Sequence, residues 1–170
     1  MIFLHLGMKL RLADWPDLPV INDIYNQAVE ERFCTAHLFP VTMEQREVWF
    51  REHDPDRFPV YVIAEGEQVA GWTSLSSYRS DREALKHVAE VSYYVDRNHR
   101  GRGFGQQLIN HVLSVAPGFG FSVLIAILLS RNPASIGLLE KSGFELWGRM
   151  PELARIGQER ADHLYYGRKL

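Results

Sequence analysis

Residues 91 to 109 read Val91-Ser92-Tyr93-Tyr94-Val95-Asp96-Arg97-Asn98-His99-Arg100-Gly101-Arg102-Gly103-Phe104-Gly105-Gln106-Gln107-Leu108-Ile109. A strand-like run enters a basic, glycine-rich turn, and an amphipathic helical pattern leaves it. Gly101, Gly103 and Gly105 stand at alternate positions. They remove the Cβ atoms that would hold a ligand away from the backbone. The N–H groups of such a turn, with the start of the next helix, form an anion site. The segment therefore places a strand, a phosphate-sized cradle and a helix N-terminus in direct succession.

Three phosphate loops compete for this pattern. A P-loop needs Lys and then Ser or Thr after its glycines, and none follows here. A Gly-x-Gly-x-x-Gly fingerprint would put its third glycine one position beyond Gly105. What remains is Arg-x-x-Gly-x-Gly, matched by Arg100, Gly103 and Gly105. A glycine-rich loop without a ligand would show the same residues. A further segment follows: Ser130-Arg131-Asn132-Pro133-Ala134-Ser135-Ile136-Gly137-Leu138-Leu139-Glu140-Lys141-Ser142-Gly143-Phe144. Asn132 before Pro133 suits a helix N-cap with proline in the first turn. Gly143 suits the left-handed position that ends a helix.

The two segments resemble the signatures of the GCN5-related N-acetyltransferase (GNAT) superfamily. Residues 91–109 are similar to its coenzyme A pyrophosphate loop. Residues 130–144 are similar to its Asn-x-x-(Ala/Ser) helix, where the Asn borders the pantetheine arm. The resemblance implies acetyl-CoA as cosubstrate. Its site would be formed by Tyr93, Tyr94 and Val95 on the strand, by Arg100, Gly101, Arg102, Gly103, Phe104, Gly105 and Gln106 in the loop, and by Asn132.

The remaining periodicities predict a mixed α/β fold. Lys9 to Ala13 alternates as a strand, and Leu18, Ile21, Ile24, Tyr25, Ala28 and Val29 recur at helical spacing. Thr42-Met43-Glu44-Gln45 fits a capping box opening a second helix. Strands are expected at 59–65, 68–77, 88–95 and 123–129, and helices at 103–115 and 133–141. Closing strands are expected at 144–150 and 163–170. This order matches the acyltransferase fold implied by the resemblance: a twisted mixed sheet of about seven strands flanked by four helices, all in one domain over 1–170. Residues 1–8 read as a possible N-terminal extension, too short for a signal peptide or membrane span.

Glu90 lies in an otherwise apolar strand, where a carboxylate needs a reason to be. Partial burial would raise its pKa into the range useful for a general base; an edge-facing, solvated Glu is the plain alternative. Within the superfamily, the segment from Trp72 to Val95 resembles the phosphinothricin and methionine sulfone/sulfoximine acetyltransferase branch, through Tyr78-Arg79-Ser80 and His87 to Glu90. The resemblance implies that Glu90 takes the proton of the acceptor amine. Arg79 would pair with the acceptor carboxylate, Ser80 would lie nearby, and Val91 and Ser92 would border the amine. It also implies a homodimer, to which Tyr165 and Tyr166 could contribute unless they are core residues.

Two features depart from that pattern. Where many members carry Tyr or His near the coenzyme sulfur, this chain has Leu139, which cannot protonate a thiolate. Near the C-terminus, Ile156-Gly157-Gln158-Glu159-Arg160 stands where the branch has an aromatic-containing segment, although Asp162 remains.

Composition narrows the class further. Net charge is −2, and the only basic cluster is local, so nothing favours nucleic-acid binding. A single cysteine, Cys34, fits a reducing cytoplasm and reads more readily as a small buried hydrophobe than as a nucleophile. The seven histidines show no ligand spacing, so no metal is expected. Three functions stay open: an N-acetyltransferase for a small amino-acid-like amine, one for a protein N-terminus or polyamine, and a coenzyme A-binding module without turnover.

Overall fold

The computed structural model describes residues 7–170. The expected extension lies outside the described residues except at its end, where Met8 already pairs with Glu65 in the first strand. The strands are β1 (Met8–Leu12), β2 (Val60–Glu65), β3 (Gln68–Ser77), β4 (Val88–Val95), β5 (Val123–Leu129), β6 (Glu145–Ile156) and β7 (Glu159–Lys169). The helices are α1 (Leu18–Glu30), α2 (Met43–Arg51), α3 (Phe104–Val115) and α4 (Pro133–Lys141). The strands form one sheet in the order β1-β2-β3-β4-β5-β7-β6. Every neighbour is antiparallel except β4 and β5, which run parallel.

The helices form where the sequence supplies both an apolar stripe and caps. On α1 the buried Leu18, Ile21, Ile24, Tyr25, Ala28 and Val29 recur at three- and four-residue spacing. α2 opens on a reciprocal capping box: Gln45 N–H donates to Thr42 Oγ1, and Thr42 N–H donates to Gln45 Oε1. α4 opens with Ser135 N–H donating to Asn132 Oδ1 and ends at Gly143, whose φ is 76°. α1 and α2 pack with Val60, Val62 and Trp72 on one face of the sheet. α3 and α4 pack with Leu75, Ala89, Val91, Leu124 and Ala126 on the other. β5 is apolar along its whole length: Leu124, Ile125, Ala126 and Leu129 are buried, and Val123, Ile127 and Leu128 are half-buried.

The closing hairpin differs from expectation. β6 and β7 run well beyond 144–150 and 163–170, joined by a tight turn at Gly157 (φ 64°) and Gln158. Two register breaks, between Leu146 and Gly148 and between Met150 and Ala154, interrupt β6. Bulges of this kind erase the period-2 alternation by which a strand is recognised in sequence. Tyr166 is 3% exposed and belongs to the core, so of the two readings of that aromatic the core one holds.

β4 pairs with β5 only at Val88, Ala89 and Glu90. β3 stays paired with β4 to Val95, and β7 with β5 to Leu129. Beyond Glu90 the two central strands therefore part, leaving one edge of Val91–Val95 facing a gap.

Candidate active site

The gap separates two cavities that share Tyr94 and Cys34. The first, about 490 Å³, lies between β4, the 99–106 turn and α4, and is lined by Tyr93, Val95, Arg100, Gly101, Gly103, Gly105, Gln106 and Asn132 among others. Its floor is backbone. Among the described residues, no acceptor is found for the N–H groups of Arg100 to Gln106. The first intrahelical bond runs from Gln107 N–H to the Gly103 carbonyl. Gly101 (φ 74°) and Gly103 (φ 87°) are left-handed, and a Cβ on either would project into open space. Unsatisfied N–H groups at a helix N-terminus, with room above them, fit a pyrophosphate. Asn132 Oδ1 is used as the α4 cap, but the residue still lines this cavity.

The arginines of the turn are paired with carboxylates. Arg100 pairs with Glu31, Arg97 with Glu30 and Glu31, and Arg102 with Glu65. Arg100 Nε also donates to the Val95 carbonyl. The donors left without partners in the turn are thus backbone N–H groups, while the guanidinium groups clamp the turn to α1 and β2. Gln27 tightens the clamp by donating to Asp96 Oδ2 and accepting from Arg97 N–H.

The second cavity, about 710 Å³, lies on the α1–α2 side and reaches Ile127 to Leu129 and His163 across the gap. Tyr25, Arg46, Trp49, Trp72, Ser74, Glu90, Ser92 and Tyr94 line it, roofed by residues 34–41. Asn26 pins that roof through both hydrogen bonds to the Val41 backbone, and Asn22 Nδ2 donates to the same carbonyl. At its start Arg32 (φ 55°) and Phe33 (φ 54°) are both left-handed, an unusual conformation for side-chain-bearing residues. Tyr25 Oη bonds to Thr35 Oγ1 and His37 Nδ1, tying the roof to α1.

Glu90 stands at the fork, the last residue of β4 paired to β5, opposite Ser76 on β3. It is half-buried, and its carboxylate has no hydrogen-bond partner among the described residues. Burial pushes its pKa up, and the charge of Arg79 partly offsets this. Burial also pushes Tyr93 up to about 12, against a hydrogen bond donated to the Ser135 carbonyl. Tyr94 is raised further, through burial and then the neighbouring Tyr25, and stays a neutral phenol. It tilts against Trp72 at 4.8 Å and meets Tyr25 edge-on at 4.9 Å between ring centroids.

The other expected residues divide. Ser92 lines the second cavity with Glu90, but the Val91 side chain is 3% exposed and faces the opposite core, leaving only its backbone at the gap. Arg79 and Ser80 lie exposed on the connection after β3; Arg79 stacks on Tyr78 in a separate depression with Asp81 and Leu85, outside both cavities. Leu139 is 1% exposed in the core; the α4 residues that line the first cavity are Ala134, Ser135, Gly137, Leu138 and Lys141. Burial and the adjacent Glu31 raise the Cys34 thiol, which disfavours its thiolate form. Of the 151–162 segment, Ile156 and Gly157 border only a small neighbouring pocket.

Tyr25, Arg46, Trp49 and Trp72 line the second cavity without belonging to any local sequence motif of the site. Their spacing reads as core, and only Arg46, a charge on an aromatic-bearing helix, carried any signal.

Comparison with known proteins agrees with this architecture. The family model for "Acetyltransferase (GNAT) family" matches residues 21–144. YwnH of Bacillus subtilis is 40% identical over 164 residues, 96% of this chain and 99% of that one. The L-methionine sulfoximine/L-methionine sulfone acetyltransferase of Pseudomonas aeruginosa is 33% identical over 88% of this chain and 87% of its own. A phosphinothricin acetyltransferase from Sinorhizobium meliloti, solved in complex with acetyl-CoA, superposes with TM-score 0.90 at 28% identity, over 97% and 89% of the two chains. A parted pair of central strands, a backbone anion cradle and a family match across most of the length make this chain an acetyltransferase of the GNAT family.

Proposed function

We propose that the protein transfers the acetyl group of acetyl-CoA to the primary amine of a small amino-acid-like acceptor, with Glu90 as general base. The carrying observation is Glu90 itself: a half-buried carboxylate without a hydrogen-bond partner among the described residues, in the wall of the second cavity, where β4 leaves β5. A base with a raised pKa accepts a proton near neutral pH and still gives it up. The relatives named for methionine sulfone and phosphinothricin support the substrate class.

The pyrophosphate of acetyl-CoA would sit on the N–H groups of Arg100 to Gln106, with the pantetheine arm along Tyr93 to Val95 beside Asn132. The thioester is the electrophile. Glu90 removes a proton from the acceptor ammonium, directly or through one water. The freed lone pair attacks the carbonyl carbon, and backbone N–H groups at the gap face the oxygen as it gains charge. As the adduct collapses the C–S bond breaks, and the second proton of the former ammonium, now acidic on the adduct nitrogen, ends on the sulfur, so that the coenzyme leaves as the thiol. Tyr94, the neutral phenol shared by both cavities, would serve as a relay, passing its proton to the sulfur as it takes the proton of the adduct nitrogen, and so ending as a phenol again. Arg79 acts on Glu90 electrostatically and, by rotating off Tyr78, would meet the α-carboxylate.

We further propose a cytoplasmic homodimer. Leu146, Trp147, Met150 and Leu153 on the edge strand β6 are 44–60% exposed, an apolar rim that suits a subunit contact. No helix among the described residues is long and apolar enough to cross a membrane.

The test is thiol release from acetyl-CoA with methionine sulfone, methionine sulfoximine, phosphinothricin, common amino acids, polyamines and short peptides. Release confined to amino-acid acceptors is expected. Release with peptides or polyamines alone, or none despite measured acetyl-CoA binding, would overturn the reading.

A further inference from the structure

Arg46 is 3% exposed, yet no carboxylate lies within ion-pair distance of it among the described residues. Long charged side chains are almost never so buried unless paired. Its Nε donates to Asn22 Oδ1 at 3.2 Å, and Asn22 in turn donates to the Val41 carbonyl. Three aromatic rings surround the guanidinium, with centroids at 4.5 Å (Trp49), 4.6 Å (Tyr25) and 5.6 Å (Trp72). Aromatic faces offset part of the cost of burying a cation, but they accept no in-plane hydrogen bond. Only the Nε–H of the fork has a partner among the described residues; the Nη groups have none and are not sealed from solvent. Arg46 lines the cavity that holds Glu90. The protein thus presents a rigid cationic fork to that cavity and supplies no anion for it.

Its place decides which part of an acceptor it meets. Arg46 stacks at Trp72, which is paired across the sheet with Tyr94, whereas Glu90 is paired with Ser76. Tyr94 and Glu90 are four residues apart on one strand, about 13 Å. The α-carboxylate of an amine held at Glu90 stays within about 3 Å of that amine, whereas the terminal oxygens of a three- or four-atom side chain lie about 6 Å away, so it is the side-chain end that extends along β4 toward the Arg46 fork. Charge effects run the same way: Tyr94 feels both Arg46 and Glu90, whereas Glu90 feels Arg79.

We propose that Arg46 is a specificity-determining residue whose guanidinium fork binds the distal oxygen pair of the acceptor side chain, a sulfonyl, phosphinyl or carboxylate group. The assignment rests on the reading that an amino-acid-like amine reacts at Glu90. It divides the acceptor between two cations, with Arg79 at the α-carboxylate end and Arg46 at the far end, where the planar fork matches two oxygens at once.

The experiment compares kcat/KM for methionine sulfone and for norleucine, which share the amino-acid head and differ at the side-chain end. Wild type, Arg46→Gln and Arg46→Lys are measured, with acetyl-CoA affinity as the check of folding. The sulfone-to-norleucine ratio should favour the sulfone in wild type, fall at least about tenfold in Arg46→Gln and fall partway in Arg46→Lys. A purely structural Arg46 would lower both acceptors together and leave the ratio unmoved, which would overturn the assignment; so would a wild type indifferent to the sulfone. If Arg46→Gln binds no acetyl-CoA, the ratio in Arg46→Lys decides. Wild-type turnover with an unmoved ratio sinks Arg46 alone, whereas silence with every amino acid sinks the proposed activity first.

Discussion

The two cavities are built from different material. The first is backbone: N–H groups at the start of α3, glycines with left-handed φ, and the unpaired edge of β4. The second is side chains: Glu90 from β4, Trp72 from β3, Tyr25 from α1, Arg46 and Trp49 from α2, and a roof strapped to Asn22 and Asn26. A backbone site holds one invariant group, since peptide N–H groups cannot be varied by substitution. A side-chain site can be retuned one residue at a time. The contrast predicts that single substitutions in the second cavity alter catalysis and selectivity, and that those in the first alter coenzyme affinity.

Glu90→Gln is the largest expected effect. Losing a general base costs about 10²- to 10⁴-fold in kcat, and acetyl-CoA affinity should stay near wild type because no part of that cradle changes. Turnover near the wild-type rate would remove Glu90 from its role. The same variant has a stability signature. For an acid whose folded pKa is raised, the stabilising contribution is present below the unfolded pKa and fades as pH rises through the folded value. Replacing the carboxyl by an amide should abolish that decline, so urea unfolding at neutral pH should find Glu90→Gln no less stable than wild type.

Gly71→Ala tests the other cavity. A Cβ there would stand 2.8 Å from the Tyr94 carbonyl, a backbone atom that cannot move without displacing β4. The expected cost is about 1–3 kcal/mol of stability. Because the displaced strand carries the proposed coenzyme edge, the acetyl-CoA dissociation constant should rise by about tenfold while the relative preference among acceptors stays the same. A change in acceptor preference with coenzyme affinity intact would break the division between the cavities.

How far the sequence could be read follows the same division. The first cavity was legible because its determinants are contiguous: Arg100 to Gln106 and Asn132 stand in short motifs whose spacing is the geometry. Seven strands and four helices were legible for a similar reason, each carrying its own periodicity or cap. The second cavity was not, because Tyr25, Arg46 and Trp72 meet only through tertiary packing and read individually as core. Arg79 marks the limit from the other side: the motif was visible, but the backbone after β3 places the side chain on Tyr78 and not in the cavity. The extent of β6 was hidden by register breaks, which no local alternation reports.

Arg79→Gln should act mainly through pH. The guanidinium lowers the Glu90 pKa against the larger upward push of burial. Without it the carboxyl titrates higher. Since only the deprotonated form is the base, the acid limb of kcat/KM should move to higher pH, with the plateau lowered for acceptors bearing an α-carboxylate. A limb that stays in place would show that the Arg79 charge does not reach Glu90 in solution.

The smallest effect is expected at Glu31, and its sign is the informative part. Glu31 pairs with Arg100 at 2.6 Å and with Arg97 at 3.8 Å, exposed at the rim of the backbone cradle. Exposed ion pairs contribute only about 0–1 kcal/mol, so the turn should keep its shape in Glu31→Gln. What changes is the field. Arg100 and Arg97 lose a competing carboxylate, and a pyrophosphate arriving at the nearby N–H groups meets two less neutralised cations. Acetyl-CoA should then bind about two- to fivefold more tightly at low ionic strength, with the gain vanishing as salt screens the exposed charges. Weaker binding at every salt concentration would mean that the pair orders the cradle, making the coenzyme site depend on side chains as much as the acceptor site does.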